Sequence, residues 1–137
     1  MKKYYIDTAI WIDLYEDRFG YNKEPLGDYA WKLFSLIKAK NDIIVVSDFL
    51  IRELEMNYSL EEINGMIKPF ENILEKVFLN KEQKDEAKKI AEERNIPPGD
   101  VIHAIIARDN DFILITRDKH FMQLEDISKH YKPEDLT

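Results

Sequence analysis

Four acidic residues stand where a sheet protein would place chemistry. Asp7 closes the apolar run Lys3–Ile6, and Asp118 comes just after the run Phe112–Thr116. Glu53 lies in a helical segment after Asp48, and Asp100 opens an apolar helix behind Pro97-Pro98-Gly99. Ligands of open α/β sheets bind beyond the carboxyl ends of the strands, so Asp7 and Asp118 fall at that edge by position alone. Each also has a plainer reading as a turn or N-cap residue, and Asp100 after Pro98-Gly99 reads equally well as a cap. Glu53 discriminates better. Counting about 100° per residue from Phe49, the apolar Phe49, Leu50, Leu54 and Met56 centre near ~60°, Glu53 falls near ~40° and Glu55 near ~240°. Glu53 therefore faces the interior and Glu55 faces solvent. A carboxylate on a core face is costly unless it is paired or bound to a cation. Two readings follow for Glu53: a metal ligand, or a buried pair with Arg52, Arg108 or Arg117. Asn57, on the same face, either hydrogen-bonds the site or ends the helix.

Carboxylates gathered from four elements repel one another, so such a cluster makes sense chiefly as a cation site. With no Cys and only 3 His, the ligands would be hard oxygens, which points to Mg²⁺ or Mn²⁺. Ions of this kind orient a phosphodiester, activate water and stabilise a leaving oxygen. His103, one turn from Asp100, either meets a substrate phosphate or satisfies a local partner, and the second is the expectation. Ala104 and Ala107 form a stripe of small residues beneath Asp100, suited to close packing of another element.

The elements that must hold these residues are legible as an alternation of short apolar runs and helical segments, the pattern of a parallel sheet covered by helices. Strands are expected over Lys3–Ile6, Ile43–Val46 and Phe112–Thr116, with a weaker one across Ile73–Leu79 and a short one near His130-Tyr131. Helices are expected from Pro25 to Lys40, after Asp48, from the capping-box sequence Ser59-Leu60-Glu61-Glu62, from Lys81 to Arg94, and after Gly99. The Lys81–Arg94 segment offers only Ala87, Ile90 and Ala91 for burial. The last helix has no polar face for two turns and should lead by a right-handed crossover into Phe112–Thr116. At 137 residues the chain makes one domain, residues 1–137. A content of 45% hydrophobic and 34% charged residues excludes a disordered or low-complexity chain. No run approaches the ~18 apolar residues of a membrane span and no signal peptide precedes the first strand, so a soluble, cytoplasmic protein with no membrane contact is expected. The net charge of −7 argues against broad wrapping of nucleic acid. About two divalent ions at the acids would bring it to about −3.

These residues together resemble the PIN domain family, and within it the single-domain ribonucleases of the VapC toxin type. The likeness runs through Tyr5-Ile6-Asp7-Thr8, Ser47 to Glu53-Leu54, Pro98-Gly99-Asp100 with His103-Ala104, Thr116-Arg117-Asp118-Lys119-His120-Phe121, and the tail Lys132-Pro133-Glu134-Asp135-Leu136. It implies a three-layer α/β/α domain with a mostly parallel central sheet. It also implies a Mg²⁺- or Mn²⁺-dependent endoribonuclease with Asp7, Glu53, Asp100 and Asp118 as the acidic set and Thr116 as the accessory hydroxyl. The products would carry a 3′-hydroxyl and a 5′-phosphate. Arg52, Arg108, Arg117, Lys119 and His120 are candidate contacts to RNA phosphates or simple ion partners. By the same resemblance the partners are RNA, a small antitoxin protein and a second copy in a homodimer. A free-standing RNA-processing nuclease and a non-catalytic RNA- or protein-binding module are the alternatives. The sequence departs from the family pattern at Ala9, where a polar Ser or Asn is common, and at Val101, where Ala is usual. Ala9 also counts against a haloacid-dehalogenase-like phosphatase, whose chemistry needs a second Asp there.

Overall fold

A computed structural model describes residues 1–137. The chain runs β1 (Lys3–Ile6), α1 (Thr8–Glu16), α2 (Leu26–Lys40), β2 (Ile43–Ser47), α3 (Asp48–Glu55), α4 (Leu60–Ile67), β3 (Leu74–Val77), α5 (Lys81–Arg94), α6 (Pro98–Asn110), β4 (Ile113–Ile115) and β5 (His130–Tyr131). Short 3-10 segments cover Lys68–Ile73, Lys119–Leu124 and Pro133–Asp135. The sheet order is β3-β2-β1-β4-β5 and every pairing is parallel. From β1 the chain first builds outward through β2 and β3, then returns to the other side of β1 to lay down β4 and β5. The strand order therefore reverses between β1 and β4, and the crevice beyond their carboxyl ends is where such sheets bind ligands. Asp7 leaves β1 and Thr116 leaves β4 at that point.

Local sequence explains the element ends. Ser59 with Glu62, and Asn80 with Gln83, form the reciprocal hydrogen bonds of capping boxes at α4 and α5. Asp17, Asn41, Asn95 and Asp111 end α1, α2, α5 and α6 in the left-handed conformation, which short Asn and Asp side chains tolerate better than bulkier residues do. The core joins Tyr5, Ile6, Val45, Val46 and Leu114 of the sheet to Leu33, Phe34 and Ile37 of α2 and to Val101–Ala107 of α6, all buried. Trp11 packs edge-on against Phe34 at 4.8 Å and Phe70 at 5.9 Å between ring centroids. Such geometry suits the quadrupoles of the rings.

The structure departs from the expected elements in several places, among them β3, which is shorter than Ile73–Leu79. Helix α1 is absent from the expected elements. Helix α6 begins at Pro98, so Pro97 is its N-cap and Asp100 lies inside the first turn. Strand β4 is shorter than Phe112–Thr116. On α5 the buried residues are Gln83, Ala87 and Ala91, with Ile90 only half-buried. Gln83 is tolerated inside because its amide donates to Asp109 Oδ2 at 3.0 Å and its carbonyl accepts from the Asn80 N–H at 3.1 Å. No helix is long and apolar enough to cross a membrane.

Candidate metal centre

Asp7 is placed by the end of β1, where its N–H donates to the Ile115 carbonyl at 2.9 Å. It occupies the N-cap position of α1, yet its side chain caps nothing. Instead Oδ2 accepts from Thr116 Oγ1 at 2.8 Å, and Thr116 is itself fully buried. Thr116 Oγ1 also accepts the Asp118 N–H at 3.2 Å, tying the two acids to one hydroxyl. The turn-or-cap reading therefore fails for Asp7, and it fails for Asp100, whose helix is capped by Pro97 without a side-chain bond. It holds for Asp118, whose Oδ1 accepts the His120 N–H at 2.9 Å at the start of a 3-10 segment. Asp118 keeps a second oxygen beyond that bond.

Helix α3 carries Glu53 inward, half-buried, and Glu55 outward, exposed, as the helical phase requires. The pairing with Arg does not occur. Glu53 Oε1 instead receives hydrogen bonds from Thr8 Oγ1 at 2.6 Å and His103 Nε2 at 2.6 Å. Its other oxygen, Oε2, lies 3.2 Å from where a Cβ on Gly99 would stand, so the glycine leaves room for it. His103 is buried and serves local partners, Glu53 on one side and Tyr5 Oη at 2.7 Å on the other, with Asp7 Oδ1 3.7 Å away. Asn57 is exposed beyond the end of α3, so it ends the helix region and does not enter the site.

Two groups of potential ligands result: Asp7, Glu53 and His103, and Asp100, Asp118 and His120, the ligand atoms of each lying within 4.8 Å of one another. Their electrostatics differ. Burial raises the pKa of Asp7, against the opposing pull of His103 and Thr116. Burial also acts to raise Glu53, but the hydrogen bonds and charge from His103 and the bond from Thr8 outweigh it and hold Glu53 below the usual range. Burial would lower His103, yet Glu53, Asp7 and Asp100 together raise it. Asp100 is pushed up to about 6, first by burial and then by the negative charges of Asp118 and Asp7. His120 Nδ1 lies 3.2 Å from Asp100 Oδ2 and 2.9 Å from Asp118 Oδ1, but no hydrogen bond of proper geometry joins it to either, and Asp100 Oδ2 is buried without a partner.

The donor set fits a hard divalent cation: lone pairs remain on Asp7 Oδ1, Glu53 Oε2, Asp100 Oδ2 and Asp118, all of them carboxylate oxygens. The basic residues are less available than the sequence suggests. Arg108 pairs with Glu86 at 2.7 Å and Asp109 at 2.9 Å. Arg117 forms a bidentate pair with Glu134 at 2.7 and 2.8 Å and lies over the Tyr29 ring at 5.7 Å. Arg52 and Lys119 are exposed. Sequence reasoning missed Asp13, buried on α1 and bonded by Arg18 at 3.0 Å, and it missed the bonds of Thr8 and Tyr5 to the site.

The PIN domain family model matches residues 4–127, and the chain belongs to that family. Among curated proteins, none matches this sequence. Solved structures share the fold. A chain of VapBC2 from Rickettsia felis, bound to a DNA fragment from its promoter, is 20% identical with a TM-score of 0.67, covering 95% of this chain and 98% of its own. A chain of a toxin–antitoxin complex from Klebsiella pneumoniae is 18% identical, TM-score 0.65, over 94% and 96%. PAE2754 from Pyrobaculum aerophilum is 14% identical, TM-score 0.59, over 98% and 86%.

Proposed function

We propose that the chain is an endoribonuclease that hydrolyses RNA phosphodiester bonds with Mg²⁺ or Mn²⁺ held by Asp7, Glu53, Asp100 and Asp118, and that it is the toxin of a toxin–antitoxin pair. The observation that carries the reading is the buried, unpartnered Oδ2 of Asp100 beside two further acids, an arrangement that a cation completes. Membership of the PIN family supports the same reading. A divalent ion bound there orients the phosphodiester, lowers the pKa of water and stabilises the leaving oxygen. The chain's own residues supply the order. Thr116 holds Asp7 Oδ2 and leaves Oδ1 free, and Thr8 with His103 holds Glu53 Oε1 and leaves Oε2 free. Lys119, beside Asp118, and Arg52, beside Glu53, are the exposed cations best able to meet RNA phosphates.

The toxin–antitoxin complexes among the structural neighbours support an antitoxin partner. A concave patch of about 290 Å³ lined by Trp11, Leu14, Tyr15, Trp31, Met66 and Phe70 is the surface best suited to an apolar segment of such a protein, and Trp31 is 61% exposed in it. A homodimer and a cytoplasmic location belong to the same reading. A free-standing processing nuclease would share the chemistry and lack the partner, and a non-catalytic module would share the fold and lack cleavage.

Incubation of the purified protein with a mixed RNA pool, with and without Mn²⁺, followed by mapping of the new ends, tests the reading. Cleavage is expected only with the ion, with 5′-phosphate ends and complete loss in EDTA. Cleavage that persists in EDTA and leaves 2′,3′-cyclic phosphates would replace the metal route with one through the 2′-hydroxyl. His120, half-exposed, could reach RNA for that chemistry, whereas His103 is buried.

A further inference from the structure

One buried chain of hydrogen bonds allows its hydrogens to be placed one by one. The Leu50 N–H donates to Ser47 Oγ at 3.0 Å, capping α3. Ser47 Oγ lies 2.7 Å from Tyr5 Oη, and Tyr5 Oη lies 2.7 Å from His103 Nδ1. Across the ring, His103 Nε2 is 2.6 Å from Glu53 Oε1. Tyr5 and Ser47 are 0% exposed and His103 is 1% exposed, so solvent cannot substitute for any link between them. An ionised carboxylate only accepts, which requires the hydrogen on Nε2. In the neutral imidazole, the form favoured once a cation neutralises the neighbouring acids, Nδ1 is then an acceptor, filled by the Tyr5 O–H. Tyr5 Oη in turn accepts the Ser47 O–H, and Ser47 Oγ accepts the Leu50 N–H. Every donor meets an acceptor. If the chain pointed the other way, the Ser47 hydroxyl hydrogen would be left buried without an acceptor, a costly arrangement.

We propose that Tyr5 and Ser47 are positioning residues for the metal centre: the Tyr5 O–H, itself held by Ser47, keeps the His103 ring turned so that Nε2–H meets Glu53, and so holds Glu53 Oε1 inward and leaves Oε2 for the cation. The inference rests on the metal reading above. Its force comes from topology. Ser47 caps α3 and Glu53 sits near the other end of the same short helix, while Tyr5 comes from β1 and His103 from α6. The bonds close a ring through three elements, so the carboxylate cannot turn without breaking a buried link. Thr8 donates to the same oxygen, which leaves Oε2 as the half of Glu53 without a protein donor. Partners behind a ligand commonly change metal affinity by about 10- to 100-fold.

Tyr5→Phe is the decisive variant, because the ring keeps its packing against Phe112 and His103 and loses only the hydroxyl. In the Mg²⁺-saturated wild type, ¹⁵N resonances of the His103 ring should show a protonated Nε2 and a bare Nδ1. The chain's 3 His make assignment by substitution direct. Tyr5→Phe should leave Nδ1 bare but without its hydrogen-bond donor, shift the Nδ1 resonance, and bind Mg²⁺ about tenfold more weakly by calorimetry. His103→Gln, whose amide can donate to Glu53 and accept from Tyr5, should bind Mg²⁺ more tightly than His103→Leu. A folded Tyr5→Phe protein with unchanged Mg²⁺ affinity would overturn the proposal, as would a wild type with the hydrogen on Nδ1 alone. Should Tyr5→Phe fail to fold, the His103 pair decides, and equal affinities would overturn it. A wild type that binds no Mg²⁺ would overturn the metal reading as well, an outcome the same titration reports separately from the variants.

Discussion

The two halves of the site are built to opposite specifications. Asp7 and Glu53 stand on the ends of interior elements, and each has one oxygen fixed by a buried or half-buried donor: Thr116 for Asp7, Thr8 and His103 for Glu53. Asp100 and Asp118 stand at the rim, and Asp100 Oδ2 has no donor although it is buried. Their acidities follow the local surroundings: the donors of Glu53 hold it below its ordinary pKa, burial raises Asp7 beside it, and Asp100 is pushed up to about 6. The first half is ordered by the protein alone. In the second, Asp100 is disfavoured as an anion first by burial and then by the charges of Asp118 and Asp7, a cost that a proton or a cation relieves, so a bound ion should return most of its stabilisation there.

The largest effect expected from this contrast is on cleavage. Glu53→Gln removes a ligand charge from the ordered half and should lower the cleavage rate by at least about 100-fold, the upper end of what losing a partner behind a ligand costs. Glu55→Gln, two residues away and exposed, should leave the rate within about twofold of wild type, as surface changes usually do. Equal losses in a side-by-side assay of the two variants would remove Glu53 from the site.

The next effect is on stability, and its sign depends on the ion. A carboxyl whose pKa is higher in the folded protein than in the unfolded chain binds more protons when folded, so stability falls as pH rises between the two values. For Asp100 that window runs from 3.8 to about 6. Asp7 is raised by burial, so it acts in the same direction above its ordinary value. The raised His103 stabilises fully below 6.5 and loses that contribution as pH climbs through its folded value, again the same direction. Glu53, being lowered, acts oppositely, with stability lost as pH falls below about its ordinary 4.5. Without divalent ions the melting temperature should therefore rise from pH 7 to pH 5. With Mg²⁺ in excess the ion competes with protons at the same oxygens, and the slope should reverse. Mg²⁺ at 100 times its Kd would add about 2.7 kcal/mol at neutral pH. Differential scanning fluorimetry across pH, with Mg²⁺ or with EDTA, reads both slopes. Identical slopes would mean that the acids do not share their oxygens with a cation.

A smaller effect isolates the strained half. Asp100→Asn keeps the size of the side chain and removes one repelling charge. The ion-free variant should be at least as stable as wild type at pH 7, gain less from Mg²⁺ and lose cleavage. No Arg pairs with Asp100, so the substitution strands no guanidinium. A clear drop in ion-free stability would show that Asp100 is held by a partner and is not strained.

This division also marks what could be read in the chain. Asp7 and Asp118 were legible because their position follows from strand ends, and the inward turn of Glu53 followed from helical phase. What lies behind the acids was not. Tyr5 reads as one more core aromatic on β1, and its contact with His103, 98 positions away, depends on strand register and the rotation of α6. Helix α1 did carry a signal in Ile10, Trp11 and Leu14 at helical spacing. Its nine residues follow a strand without a capping side chain, and they carry the buried Asp13. That acid contradicts the apolar pattern until Arg18 and Arg117 are known to face it, Arg18 Nε at 3.0 Å and Arg117 Nε at 4.0 Å.

The smallest expected effect separates affinity from stability at Gly99. This residue lies in the first turn of α6 with no positive φ, so its backbone suits any residue, and helices generally favour Ala over Gly by about 0.5–1 kcal/mol. What an added methyl would meet is Glu53 Oε2 at 3.2 Å, with Phe49 Cζ at 3.6 Å behind it. The carboxylate would have to retreat by a few tenths of an ångström, against a carboxyl oxygen already fixed by Thr8 and His103. Gly99→Ala should therefore leave the ion-free protein as stable as wild type or slightly more so, while Mg²⁺ binding weakens by roughly three- to tenfold, below the range for losing a partner outright. Calorimetric titration and thermal melts on the same sample give the two numbers. A variant that loses both together would show that the glycine serves the helix packing, whereas one that keeps its affinity would show that Oε2 does not face the ion.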